Sequence, residues 1–413
     1  RTKNIIMNKF PSLNEQMDLL HRGVEEIIPE EELVKKIEKS IRTVENDFKK
    51  VDEWVIPRDR TSFYLTHDYH PYFAAFPPEL VSRLLEKYSK QGDVFLDPFM
   101  GGGSSIVEGF KLKRKVIGVD ISPFSKFLSA GKATPIKITE KETGSILSVI
   151  KKNIESEKKN DYNDFNYDIP TVTNIDKWFS RESKFDLAII LHHLKGIDDK
   201  KTRNFFLLAF SSIIRKASNA KNAEQHLCIV REKKIPDVFD LFEKKTSLMI
   251  KQMQEYVSEL GNLREFTTPK LYSHDCRRLT EIIPKNSVDI VITSPPYGTG
   301  SRYTDIYRLN FQWLEFEKPE RKTTLETTKV FTEELKTALT EIYHVLKKGK
   351  YCFFVYGDPS TENSMTSTAI DDAKSIGFSY KGLISCPIEK KSSKHHTKYR
   401  RFIPKDFILI LQK

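Results

Sequence analysis

Along the chain the spacing of apolar residues changes three times. Residues 12–50 are densely charged, with apolar positions recurring at helical spacing, which predicts two or three amphipathic helices. From residue 68 the pattern shortens. A proline-rich turn leads into a helix with Leu80, Leu84 and Leu85 on one side. VFLD then reads as a strand, followed by a glycine loop, a helix and the strand VIGVD. Strand, loop, helix and strand at short spacing predict a βαβ unit of a parallel sheet. Residues 136–265 are lysine-rich and read as helices with few strand signals, an insertion between strands. From 271 the α/β alternation returns. LYSHDCRRL reads as a short strand and turn, and VDIVITS as a buried strand. ELKTALTEIYHVLKKGK reads as a helix closed by a glycine C-cap. KYCFFVYGD is a strand, AIDDAKSIGF a helix, and YKGLISCPI and DFILILQK a closing strand pair. The division that follows is 1–67 as an N-terminal helical extension, 68–135 and 269–413 as the two halves of one α/β domain, and 136–268 as a helical insertion.

Composition narrows the class. The 413 residues are 38% hydrophobic and 30% charged, so a packed core is expected rather than global disorder. The net charge of +11 points toward polyanions, nucleic acid first among them. The four cysteines, Cys228, Cys276, Cys352 and Cys386, form no CxxC pair. That argues against a disulfide scaffold or a zinc site and fits a reducing cytoplasm. The pairs His192-His193 and His395-His396 have no further ligand at metal spacing, so no metal is expected. The sequence carries no signal peptide and no apolar run of about 18 residues, so a cytosolic protein with no membrane contact is expected.

Candidate chemistry sits at the strand ends. FLDPFMGGGSS places Asp97 before three glycines, whereas the dinucleotide fingerprint places its acid well after them. A pyrophosphate would be repelled by Asp97. A ligand with a positive centre and no phosphate suits the loop better, and S-adenosylmethionine is such a ligand. Asp120, at the end of the next strand, stands where a carboxylate accepts both ribose hydroxyls. VITSPPYGTG ends a buried run in Ser294, two prolines and Tyr297. Prolines fix φ and remove amide donors, so they either stop the strand or stiffen a platform of acceptors.

HPYFAAFPPELV with GDVFLDPFMGGGSS resembles the cofactor-binding half of amino-directed (N4-cytosine/N6-adenine) DNA methyltransferases. HDCRRLTEIIPKNSVDIVITSPPYG resembles their catalytic half, of the SPPY type. The resemblance covers about 70–135 and 270–413. It implies a Rossmann-like methyltransferase sheet, mostly parallel with an antiparallel last strand, carrying a helical insertion. It implies S-adenosylmethionine held by Phe76, Pro77, Asp97, Pro98, Phe99, Gly101, Gly103, Asp120, Asp275 and Cys276, with Asp275 accepting from the adenine amino group. It also implies a target base flipped out of DNA onto Ser294, Pro295, Pro296 and Tyr297. Ser-Pro-Pro-Tyr goes mostly with cytosine N4 in that family, and Asp-Pro-Pro-Tyr with adenine N6, so Ser294 favours cytosine and leaves adenine as the alternative. An RNA guanine-N2 methyltransferase and a non-catalytic DNA-binding subunit are the further readings. Carbon-5 methylation is rejected, because its Pro-Cys nucleophile is missing and only Cys386-Pro387 occurs.

The insertion falls between the second and third strands of the resembling sheet, and its basic helices make it the candidate target-recognition region. Lys200, Lys201, Arg203 and Arg215 there, with Tyr303 and Arg308 after the platform, are the candidate DNA contacts. A cognate restriction endonuclease is the expected companion. Gly102 stands where relatives more often carry Ser, a departure expected to be harmless.

Overall fold

The computed structural model describes residues 49–56, 64–73, 75–222, 227–262, 266–295, 303–318, 328–356, 365–387 and 405–413. The helices expected over 12–50 lie almost wholly outside that set. At its edge, Lys50–Glu53 is a strand rather than part of a helical extension. β-Branched Val51 and the parallel pairing of this segment with a C-terminal strand outweigh the local charge pattern.

Eight strands form one sheet. They are β1 (Lys50–Glu53), β2 (Val94–Asp97), β3 (Lys115–Asp120), β4 (Lys270–Ser273), β5 (Val288–Thr293), β6 (Leu346–Tyr356), β7 (Ser379–Pro387) and β8 (Lys405–Gln412). Their order is β1-β7-β8-β6-β5-β2-β3-β4. Every pairing is parallel except those of β8, which runs against both β6 and β7. The sheet is thus mostly parallel with an antiparallel last strand, as the sequence pattern and the resemblance predicted.

Alternation along the central strands splits the core between the two faces. Phe95, Ile290, Ile292, Phe353 and Val355 point to one face, where they meet α1 (Pro78–Tyr88), α2 (Ser104–Lys111) and α3 (Pro123–Ala133). Leu96, Val291, Cys352 and Phe354 point to the other, against α8 (Thr328–Val345) and α9 (Met365–Ile376).

Between β3 and β4 the chain forms α4 (Glu140–Lys159), α5 (Arg181–Lys195), α6 (Lys200–Ile213) and α7 (Val238–Leu260). Each starts on a side-chain cap; Thr139 and Glu142 make a reciprocal capping box for α4. These helices share one continuous core with α1–α3. At Gly131 a Cβ would stand 2.7 Å from Leu208 Cδ2, so a larger residue would make that side chain shift where α3 meets α6. Tyr69, in a 3-10 turn over Leu65–Tyr69, donates its hydroxyl to Met249 O of α7 (2.7 Å).

The expected glycine C-cap after α8 is not formed. The helix ends at Val345, and Gly349 lies inside β6 at φ +78, where pairing with β5 changes register. The amide of Gly349 bonds Lys413 O instead (2.8 Å), so the left-handed glycine serves a strand irregularity. Among the described residues no helix is long and apolar enough to cross a membrane.

Candidate active site

Sheet order decides what comes together. β5 leads on to β6 on one side of the sheet, and β2 leads on to β3 on the other. The strand order therefore reverses between β5 and β2, and open α/β sheets bind ligands outside the carboxyl ends of strands at such a point. The carboxyl ends of β5, β2, β3 and β4 carry, in that order across the sheet, Ser294, Asp97, Asp120 and Asp275.

Asp97 closes β2 and is 2% exposed. Its Oδ1 accepts from the Phe99 amide (3.0 Å) and from Thr293 Oγ of β5 (2.7 Å), and its Oδ2 accepts from Ser105 Oγ of α2. Burial pushes its carboxyl up to about 6 against these three donors, and the neighbouring Asp120 adds to the rise. Asp120 closes β3. Its oxygens accept from the amides of Gly101 (3.0 Å) and Ser122 (2.8 Å), and burial raises its carboxyl above the usual range. Neither carboxylate is bonded to a lysine, arginine or histidine among the described residues. Buried Asp97 and half-buried Asp120, neither bonded to a basic side chain among the described residues, make a negative site that disfavours phosphate and favours a cation.

The glycine loop joins them. Met100 N bonds Val119 O (3.1 Å) and Gly103 N bonds Met100 O (2.8 Å), while Gly101 and Gly103 take φ of +46 and +82. At Gly103 a Cβ would stand 2.7 Å from Ser129 Cα, so the turn requires glycine twice over. At Gly102 a Cβ would stand 2.7 Å from both Cβ and Cγ of Tyr72. The departure from serine is therefore matched by a tyrosine filling the space.

Tyr72 itself lies parallel to two rings at once, Tyr303 at 5.5 Å and Tyr307 at 5.3 Å, both at 12°. Tyr307 also accepts from the Phe73 amide (2.6 Å). Reading the sequence missed Tyr72, Thr293 and Ser105, and did not foresee that Tyr72 would pack against Tyr307. Tyr72 and Tyr307 are 235 positions apart and share no spacing signal, while Thr293 and Ser105 look like ordinary strand and helix-start residues. Phe76 and Pro77 are half-buried at the entry to α1, where Pro77 is the N-cap and Pro78 opens the helix. Pro98 is buried and Phe99 half-buried in the turn after β2.

Asp275, just past β4, is saturated. Arg277 gives its amide and Nε to Oδ1 (2.9 Å each) and Nε and Nη2 to Oδ2, and its other arm reaches Glu334. Burial alone would raise this carboxyl, but the Arg277 bonds and charge outweigh it and hold it below the ordinary range. The Cys276 thiol is pushed up by burial beside Asp275 and stays protonated. His274 bonds back to the sheet through its amide and Asp120 O (3.0 Å).

On the platform, Ser294 is half-buried and Pro295 buried. Pro296 and Tyr297 lie outside the described residues. Of the candidate DNA contacts, Lys200 and Lys201 are exposed at the start of α6, about 16 Å along the helix from Ser211, which meets His70. Arg203 and Arg215 donate to the carbonyls of Ile197 (2.9 Å) and Lys221 (2.8 Å), and Arg308 lies over the Trp178 ring at 5.3 Å. Tyr303 is in the tyrosine stack. No group of three or more potential metal ligands occurs among the described residues.

Comparison with known proteins points the same way. The DNA methylase family model N6_N4_Mtase matches residues 22–129. The type II methyltransferase M.MvaI of Kocuria varians is 31% identical over 267 residues, which cover 61% of this chain and 58% of that protein. M.BsoBI of Geobacillus stearothermophilus is 23% identical over 308 residues, 68% of this chain and 59% of that protein. The chain thus spans less than two thirds of the length of either relative. The rRNA methyltransferase aviRa from Streptomyces viridochromogenes aligns over 83% of this chain and 87% of that one, at 12% identity and a TM-score of 0.35. So loose a likeness adds nothing to the assignment. Residues 22–129 thus match a DNA methylase family model, and 61% of the chain is similar to a type II methyltransferase at 31% identity.

Proposed function

We propose that this protein is a DNA methyltransferase that transfers a methyl group from S-adenosylmethionine to an exocyclic amino group of a base, cytosine N4 in the favoured reading. The observation that carries the proposal is the pair of acids without a basic partner among the described residues, buried Asp97 and half-buried Asp120, joined by the glycine loop, with Asp97 on the strand beside that of Ser294. S-adenosylmethionine supplies the methyl group on a cationic sulfonium. Asp120 keeps one lone pair beyond its bonds from the Gly101 and Ser122 amides and the Ser125 hydroxyl, which fits a ribose hydroxyl. Asp97 keeps one on Oδ2, facing a pocket that favours positive charge. Asp275 has no spare lone pair while Arg277 holds it. Its contact with adenine requires Arg277 to shift toward Glu334, which it already touches.

An exocyclic amino group is a weak nucleophile, because its lone pair is delocalised into the ring. Ser294 Oγ and the Pro295 carbonyl are acceptors that draw its protons out of the ring plane and localise the lone pair on nitrogen. The prolines hold those acceptors still. Tyr297 stacks on the flipped base. The carbon–nitrogen bond forms as the carbon–sulfur bond breaks. The nitrogen becomes cationic and then loses a proton to water, so no strong base is needed. Lys200, Lys201, Arg203, Arg215, Tyr303 and Arg308 are the proposed DNA contacts, with Lys200 and Lys201 the most accessible to phosphates. A cognate restriction endonuclease is the proposed companion.

Calorimetric titration with S-adenosylmethionine, followed by tritium transfer to DNA, tests the activity. Absence of cofactor binding refutes it. Transfer that survives Ser294→Ala combined with Tyr297→Ala refutes the assigned platform. Mass spectrometry of nucleosides from methylated DNA decides the base: 4-methylcytosine supports the favoured reading, and 6-methyladenine replaces it with the alternative.

A further inference from the structure

Thr293 is the last residue of β5, and the next residue is Ser294 of the platform. Its side chain is fully buried, yet its hydroxyl does not serve its own strand. It crosses to β2 and donates to Asp97 Oδ1 at 2.7 Å. β2 and β5 are the parallel neighbours on either side of the point where the strand order reverses, with Leu96 paired to Val291. Asp97 is held from three directions: by Phe99 N of its own turn, by Ser105 Oγ at the start of α2, and by Thr293 from the platform strand. Of these three bonds, Thr293 alone joins the half of the sheet that carries the glycine loop to the half that carries the platform. The titratable group facing Asp97 is Asp120 on β3; from β5 and α2 it meets only neutral hydroxyls.

We propose that Thr293 is a positioning residue whose hydroxyl clamps the Asp97 carboxylate and so fixes the platform against the glycine loop. The inference rests on the reading of this pocket as a methyltransferase site. The clamp does two things. It sets the distance between the group that gives the methyl and the amino group that takes it, where small misplacements cost rate steeply. It also supplies one of the three donors that keep a buried carboxylate ionised, so its loss makes Asp97 protonate at higher pH.

The test compares Thr293→Val, which keeps the shape and removes the hydroxyl, with Thr293→Ser, which keeps the hydroxyl. S-adenosylmethionine binding is followed by calorimetry from pH 5 to 8.5, and single-turnover methyl transfer to DNA is measured at saturating cofactor. The Val variant is expected to bind cofactor within a few-fold of wild type at pH 8.5. Its acid limb should move to higher pH, and its transfer rate should fall about tenfold or more. The Ser variant should restore both. Wild-type transfer and an unmoved acid limb in the Val variant overturn the inference, as does a Ser variant with the full Val defect. Should the Val variant fail to fold, Thr293→Cys, a weaker donor of similar size, carries the same two outcomes. If wild-type protein transfers no methyl group, the reading of the activity fails, while the acid limb of cofactor binding still decides on the clamp.

Discussion

Replacing Asp97 by Asn should stabilise the fold at neutral pH while weakening the site. The Asp97 carboxyl ionises near 3.8 in the unfolded chain and at about 6 in the fold, where burial is the main cause. The raised value means that the folded state holds a proton which the unfolded state releases between those two pH values. Stability therefore falls as pH rises through roughly 4 to 6, and above that window the ionised carboxylate imposes a constant penalty of about 3 kcal/mol. An asparagine never ionises. Its oxygen can accept from Phe99 N and Thr293 Oγ as Oδ1 does, and its amide can donate to Ser105 Oγ, at a cost of about 1 kcal/mol for imperfect replacement. The net gain expected for Asp97→Asn is about 2 kcal/mol at pH 7.5, falling to nothing at about pH 4.5 and reversing below it. Urea denaturation at pH 7.5 and pH 4.5, with the slope of unfolding against urea checked for constancy, measures it. A variant less stable than wild type at pH 7.5, or a gain independent of pH, refutes the account of Asp97 as an acid kept ionised at the expense of stability. S-adenosylmethionine affinity should fall in the same variant.

Three further outcomes are expected. Gly102→Ser drives a side chain into Cβ and Cγ of Tyr72 and should destabilise by about 1–3 kcal/mol, read by thermal unfolding; Gly102→Ser with Tyr72→Ala should recover part of that. Glu108, fully buried in α2, accepts from Tyr64 (2.7 Å), His67 (2.8 Å), Ser82 and Lys111 (2.9 Å), so Glu108→Ala strands these groups and should cost about 3–5 kcal/mol by urea denaturation. Asp120→Ala removes the acceptor beside the glycine loop and should weaken S-adenosylmethionine binding by about 10- to 100-fold in calorimetry, a loss of roughly 1.5–3 kcal/mol.

The sequence alone determined the local grammar of this protein. FLDPFMGGGSS could only be a strand, a left-handed glycine turn and a helix, because three glycines cannot continue either element and the apolar run before them has strand length. VITSPP had to stop a buried strand, since proline has no amide for the ladder. The parallel βαβ unit and the helical insertion followed from such local signals, and the antiparallel last strand from the family resemblance. Lys50–Glu53 and Gly349 did not, because a strand partner over 300 residues away and a register change in β6 override what the neighbouring residues prefer. Tertiary structure alone decided which polar groups are spent inside the protein and which remain for a ligand. Arg277 ties Asp275 to Glu334, Tyr72 stacks with Tyr303 and Tyr307, and Thr293 reaches Asp97 across the reversal of strand order. Those facts depend on contacts between residues up to 235 positions apart. Spacing along a chain records the period of a helix or a strand, but not which strand will lie beside it.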